Sequence, residues 1–198
     1  MTMILFGKLT QADLPTVGFN TEFENPKQLL EQKNNLGLRA EGHIIADVLN
    51  VIDGDTFLVK YKNKKYKIRM LDIDTPESVK ENVHLQTYSK EASDKVKMYL
   101  SGKQVDLYFE KELRDKYKRI LAHVFLKNGL YLNGFLVKNG FARAVSYKPN
   151  QKYKNYFLKL QRQAQQEKLG FWSLSEDQRP FIRNRYGDYV PSYYQEAS

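Results

Sequence analysis

Residues Asp53 to Glu77 restrict the fold more than any other stretch. They begin Asp-Gly-Asp-Thr and end Arg69-Met-Leu-Asp72-Ile-Asp74-Thr75-Pro76-Glu77. Between these ends, Phe57, Val59 and Tyr61 alternate onto one face, and Tyr66, Ile68 and Met70 alternate on the way back. Asn63 and its lysine neighbours supply a hydrophilic turn. Such a pair folds as a hairpin and returns its end to its beginning, so Asp55 is expected beside Asp74. The second strand must stop at Thr75-Pro76, because proline lacks the N–H of a ladder and pushes its predecessor to an extended conformation. Asp55, Asp74 and Glu77 then converge at one sheet end, with Arg69 on the strand leading there. Converging carboxylates repel, and a hard cation is a natural reason to gather them. Asp53 and Asp72 have the opposite strand parity and are read as turn-forming or structural.

The flanking chain extends this hairpin into a barrel. Ile44 to Ile52 is a β-branched run, Val105, Leu107 and Phe109 alternate within Gln104–Glu110, and Ile120–Leu126 forms a hairpin with Leu130-Tyr131 around Asn128-Gly129. Helical spacing runs from about Ser89 to Leu100, through Leu132, Phe135 and Leu136 to Asn139-Gly140, and from after Pro149-Asn150 to about Leu169 with Gly170 as the left-handed cap. The aromatic stripe of that last helix, Tyr153, Tyr156 and Phe157, reads as core. Phe141 to Val145 is extended. The expected class is α+β, mainly β: an OB-type five-stranded barrel with about three packed helices. Residues 43–173 form that domain. Residues 1–42 show no sustained period and read as an N-terminal extension, with Asn25-Pro26 able to cap a helix over Lys27 to Lys33. Ser78 to Thr87 reads as a polar loop beside the carboxylates, and 174–198 as an irregular tail.

Formal charge is +9 overall, yet residues 43–172 hold 25 Lys/Arg against 14 Asp/Glu. A basic middle with neutral flanks suits a polyanion, because clustered lysines release the counterions condensed on phosphates. The chain has no cysteine, which excludes disulfides, thiolate nucleophiles and zinc–cysteine sites. No apolar run approaches a membrane span, so no membrane partner is expected. Met1 to Lys8 is too short for a secretory core; the protein is either cytoplasmic or secreted with a signal that precedes residue 1.

Were the chain to cut a phosphate polyanion of that kind, it would need an activated water and neutralisation of charge on phosphorus. The three histidines, His43, His84 and His123, are scattered, and His123 lies mid-strand as a structural residue would. Carboxylate, arginine and metal remain. Arg69 is the only arginine in a hairpin that otherwise uses lysine, and its planar fork matches phosphoryl oxygens.

The pattern Asp-Gly-Asp-Thr followed by Arg-x-x-x-x-Asp-Thr-Pro-Glu resembles the staphylococcal nuclease (thermonuclease) family. The likeness continues through Tyr88 to Ser93, Asp115-Lys-Tyr-Lys-Arg119, Tyr147-Lys-Pro-Asn150 and Lys168 to Ser173. This resemblance implies a Ca²⁺-dependent nuclease acting on DNA and RNA, single strands preferred, as a monomer, and leaving 3′-phosphate products. It implies Asp55, Asp74 and the main-chain carbonyl of Thr75 as metal ligands. Glu77 would orient or deprotonate water, Arg69 and Arg119 would face the scissile phosphate, and Lys116, Tyr117 and Tyr147 would contact phosphate and nucleotide. Two departures stand out. Lys118 replaces the usual glycine, so an altered loop backbone is expected. The segment Ala142 to Tyr147 is one residue short and lacks the first of a tyrosine pair, so weaker base stacking is expected. An inactive OB-type binder of single strands and a protein-interaction module are the rival readings; retention of every charged site position disfavours both.

Overall fold

In the computed structural model, residues 42–77 and 86–194 are described. The expected helix at Lys27–Lys33 and most of the polar loop after Glu77 lie outside them. Five strands close into a barrel in the order β1-β2-β3-β6-β5: β1 His43–Val51, β2 Thr56–Tyr61, β3 Lys64–Met70, β5 Gln104–Tyr108 and β6 Ile120–Leu126. Every neighbouring pair is antiparallel except β3–β6, which is parallel. The two-residue turn between β2 and β3 puts Lys62 and Asn63 at φ 46° and 60°, the left-handed pair that matches strand twist.

Alternation fills the barrel. Phe57 and Val59 from β2, Ile68 and Met70 from β3, Val105 and Leu107 from β5, and Ile120, Ala122 and Val124 from β6 are all buried. In β1 the inward residues are Ile44, Ala46 and Val48, then Val51, because a bulge between Val48 and Asn50 shifts the parity by one. Strand β6 is buried on both faces from Ala122 to Leu126, with Tyr131 stacked on Phe125 at 4.5 Å and its hydroxyl on His123 Nδ1. The second hairpin forms, with Gly129 at φ 85°, but its return arm is a single bridge, Phe125 to Tyr131, because Leu132 already starts a helix.

Three helices pack around the barrel: α1 Ser89–Leu100, α2 Leu132–Lys138 and α3 Lys154–Gln166. Their ends follow the same hydrogen-bond scheme. Gly140 caps α2 at φ 67°, with Gly140 N–H donating to Val137 O and Phe141 N–H to Leu136 O. The α3 cap is Lys168 at φ 51°, and not the expected Gly170: Lys168 N–H donates to Gln165 O and Leu169 N–H to Ala164 O. Gly170 is needed for another reason. A Cβ on it would lie 2.2 Å from Gly140 O, and one on Gly140 would lie 2.0 Å from Leu169 O. The two glycines let backbones cross in contact, and Phe171 N–H donates to Gly140 O at 3.0 Å.

The tail is not irregular. Past Trp172 the chain forms an antiparallel hairpin, β8 Phe181–Arg183 with β9 Tyr189–Pro191. Phe181 joins Ala164, Phe171 and Trp172 in a second apolar cluster. Strands of three residues are too short to show a period, which is why their sequence reads as coil. One more two-residue pair, β4 Ile73–Asp74 with β7 Arg143–Ala144, lies beside the barrel mouth. No helix among the described residues is long and apolar enough to cross a membrane.

Candidate active site

The turn before β2 is built by its own carboxylates. Asp53 Oδ1 accepts from Asp55 N–H at 3.0 Å, which makes Asp53 a turn-former as expected. Asp55 is buried: its Oδ1 accepts from the Thr56 hydroxyl at 2.9 Å, and its Oδ2 faces the Thr75 amide and hydroxyl at 3.2 and 3.3 Å. Gly54 permits this approach, since a Cβ there would lie 2.7–2.9 Å from the Thr75 side chain.

Arg69 then draws the two hairpin ends together. Its Nη2 lies 3.1 Å from Asp55 Oδ2 and donates to Asp74 Oδ1 at 3.0 Å, while Nη1 donates to Met70 O and Ile73 O, both at 2.8 Å. Burial opposes charge on this guanidinium, but Asp55 and Asp74 outweigh it and its pKa rises. The expected neighbourhood of Asp55 and Asp74 is therefore present, centred on one nitrogen atom. Burial first, then the Asp55 charge, pushes the Asp53 carboxyl up to about 7. Asp55 and Asp74 bring hard carboxylate oxygens to one point, a donor chemistry that fits Ca²⁺ or Mg²⁺.

Glu77 follows Pro76, with its backbone clasped by Gln86: Glu77 N–H donates to Gln86 Oε1 at 2.7 Å, and Gln86 N–H donates to Glu77 O at 3.1 Å. Arg69 also lines a cavity of about 530 Å³, together with Arg119, Lys116, Tyr117 and Tyr147. The expected substrate residues thus share one hollow, and Asp55, Asp74 and Glu77 are not in its lining. Asp115 shapes the loop that delivers Arg119: its Oδ1 accepts from the Tyr117 and Arg119 amides at 3.0 and 2.9 Å, and its Oδ2 from Arg119 Nε at 2.7 Å. Lys118 takes φ 63°, a left-handed backbone that glycine adopts most easily and that lysine holds here. Tyr117 and Tyr147 are 67% and 70% exposed, and the Tyr117 ring carries the Lys116 ammonium and the Arg119 guanidinium 5.1 and 5.4 Å from its centre. Val145 lines the hollow where a second aromatic was expected to be missing. Asn150 joins the two tyrosine-bearing segments, exchanging two bonds with the Glu112 backbone at 2.9 and 2.8 Å.

Sequence reasoning overlooked Arg143. It lies opposite Asp74 in the β4–β7 register and donates to Asp74 Oδ2 from Nε and Nη2 at 3.1 and 2.9 Å. The only available signal was its place in the extended run Phe141 to Val145. A second overlooked group is Asp72, Glu110 and His123, buried and with potential ligand atoms within 4.8 Å of one another. His123 is structural, as expected: Nε2 meets Glu110 Oε1 at 2.8 Å and Nδ1 meets the Tyr131 hydroxyl at 2.7 Å. With both ring nitrogens engaged, His123 joins Glu110 and Tyr131 in a hydrogen-bond network, and Asp72 stands beside it, bonded to Ser146.

Asp72 sits at φ 62°, its Oδ1 accepting from the Ser146 hydroxyl and its buried Oδ2 reached by no hydrogen-bond donor among the described residues. Burial pushes its carboxyl up to about 6. Between about pH 4 and pH 6 the folded protein holds a proton that the unfolded chain has released, so stability falls as pH rises through that window. Asp72→Asn tolerates the left-handed backbone and removes the charge. It should gain about 2–3 kcal/mol at pH 8 and little at pH 4. Urea unfolding with a chelator present, at both pH values, checks this; an equal effect at both would exclude the ionisation.

The model of the staphylococcal nuclease homologue family matches residues 67–174, more than half of the chain. A thermonuclease of Staphylococcus hyicus is 44% identical over 126 residues, covering 64% of this chain and 74% of the relative. A thermonuclease of Staphylococcus intermedius is 37% identical over 141 residues, covering 71% and 82%. The endonuclease YncB of Bacillus subtilis is 41% identical over 126 residues, covering 63% and 59%. The five-stranded barrel and these matches agree, and the chain belongs to the staphylococcal nuclease homologue family.

Proposed function

We propose that this protein is a Ca²⁺-dependent endonuclease that hydrolyses DNA and RNA, single strands preferred, to 3′-phosphate and 5′-hydroxyl ends. Its family makes it a phosphodiester-hydrolysing nuclease. The observation that carries the finer reading is the convergence of Asp55 and Asp74 on one Arg69 nitrogen at the wall of the Arg119 hollow. Asp55, Asp74 and the Thr75 carbonyl would hold the cation, which when bound supplies positive charge against the phosphate. Glu77 takes the proton of the attacking water as its oxygen bonds to phosphorus. Arg69 and Arg119 hold the equatorial oxygens, where negative charge grows. The bond from phosphorus to the 5′ oxygen breaks, and that oxygen leaves with a proton from solvent. Lys116, Tyr117 and Tyr147 hold the neighbouring phosphate and base, with the exposed Tyr147 ring available for stacking.

Cleavage of denatured DNA and of RNA with added Ca²⁺, against a chelator control, tests the activity. Asp55→Ala should abolish most turnover and weaken Ca²⁺ binding in a calorimetric titration. Unchanged Ca²⁺ affinity in that variant would remove Asp55 from the site. Binding of single strands without cleavage by the wild-type protein would favour the inactive OB-type module.

A further inference from the structure

We infer that Arg143 and Gln86 are positioning residues through which the C-terminal hairpin, β8–β9, sets the geometry of Asp74 and Glu77. The inference rests on the proposed roles of those two carboxylates. Arg143 is 7% exposed, and its fork faces two ways. Nε and Nη2 meet Asp74 Oδ2 at 3.1 and 2.9 Å, while Nη1 donates to Tyr189 O on β9. The guanidinium also lies over the Phe181 ring of β8, with its carbon 5.1 Å from the ring centre. A planar guanidinium held on a carbonyl and an aromatic face has few orientations left, and its carboxylate partner inherits that restriction.

Gln86 makes a second, separate link. Its Oε1 accepts from Glu77 N–H at 2.7 Å; its Nε2 donates to Pro180 O at 2.7 Å and meets Ser192 Oγ at 3.3 Å. Pro180 and Ser192 flank the hairpin and are themselves bonded, Ser192 N–H to Pro180 O at 2.9 Å. One side-chain amide thus joins the backbone of Glu77 to both ends of the hairpin. The hairpin is anchored in turn, since Phe181 is buried with Phe171 and Trp172, and Tyr189 meets the Trp172 ring edge-on at 4.8 Å. These contacts come from residues beyond 174, outside the stretch that the family model matches. The hairpin therefore braces the site at two carboxylate-bearing positions without entering it.

Amide hydrogen exchange and calorimetric Ca²⁺ titration on the full chain separate this inference from the proposed function. In chelator, Phe181→Leu should raise exchange at the Thr75 and Glu77 amides about ten-fold and leave barrel amides of Leu107 and Val124 unchanged. Gln86→Met should do so at Glu77, and Arg143→Lys at Thr75. In the titration, Arg143→Lys and Phe181→Leu should each weaken Ca²⁺ about ten-fold, although Phe181 touches no proposed ligand. Thr75 and Glu77 exchange unchanged in all three variants would overturn the inference, as would an equal rise at the barrel amides. Wild-type protein that takes up no Ca²⁺ would defeat the proposed cofactor, and the exchange data alone would then decide the brace.

Discussion

Arg119→Lys should lower kcat by about 10²–10³ while moving KM far less. The structure explains why the change is not conservative. Asp115 grips the guanidinium by its Nε at 2.7 Å and fixes the Tyr117 and Arg119 amides with its other oxygen, so the fork enters the hollow in one orientation. Lysine has no Nε in that position and carries a point charge on a flexible stem. Charge on the equatorial oxygens grows only as the bond to phosphorus forms, and a donor aimed at that charge acts on turnover more than on binding. A module that only binds strands would lose little, since one cation would still meet one phosphate. Two measurements on a labelled single strand separate these outcomes: cleavage with Ca²⁺, and affinity without it. An Arg119→Lys protein with wild-type turnover would overturn the role given to Arg119.

Gly140→Ala should cost more than about 3 kcal/mol of stability. The new methyl would meet Leu169 O at 2.0 Å and Leu169 C at 2.6 Å, and both are backbone atoms with no rotamer to yield. A left-handed φ of 67° adds the strain of an L side chain. For a chain of this size the melting temperature should drop by about 6–12 °C. Gly129→Ala is the control: it shares a positive φ, 85°, but nothing lies within 4 Å of its would-be Cβ, so only about 1–2 kcal/mol of strain is expected. Thermal unfolding of both variants by circular dichroism reads the difference. Equal losses would mean that the crossing of the two backbones does not set the cost.

The barrel was legible because its strands alternate cleanly. Phe57 and Val59 or Val105 and Leu107 declare an inward face, and a closed sheet follows from enough such faces. The approach of Asp55 to Asp74 was legible in outcome but not in cause: β3 stops at Met70 and not at Thr75, and a left-handed turn at Asp72 then brings Asp74, in the separate strand β4, back to Arg69 and Asp55. What the sequence hid depends on single backbone angles or on distant partners. Lys168 took the α3 cap because left-handed strain at one lysine is outweighed by two capping bonds, which freed Gly170 for the crossing with Gly140. Three-residue strands carry no period, so β8 and β9 read as coil. Arg143 and Gln86 match no motif; their importance lies in partners 69 and 94 positions away along the chain.

Lys62, Lys118 and Lys168 all hold left-handed backbones, at φ 46°, 63° and 51°. Glycine would relieve about 1–2 kcal/mol of strain at such positions, less what its looser unfolded chain takes back. Each lysine instead keeps a positive charge on a bend of the chain, where under the proposed function it would meet the phosphates of a long strand. On that reading the chain accepts some loss of stability at these bends in return for positive charge, an example of stability yielding to activity. Across Lys62→Gly, Lys118→Gly and Lys168→Gly, melting temperature and affinity for a long single strand should therefore move in opposite directions.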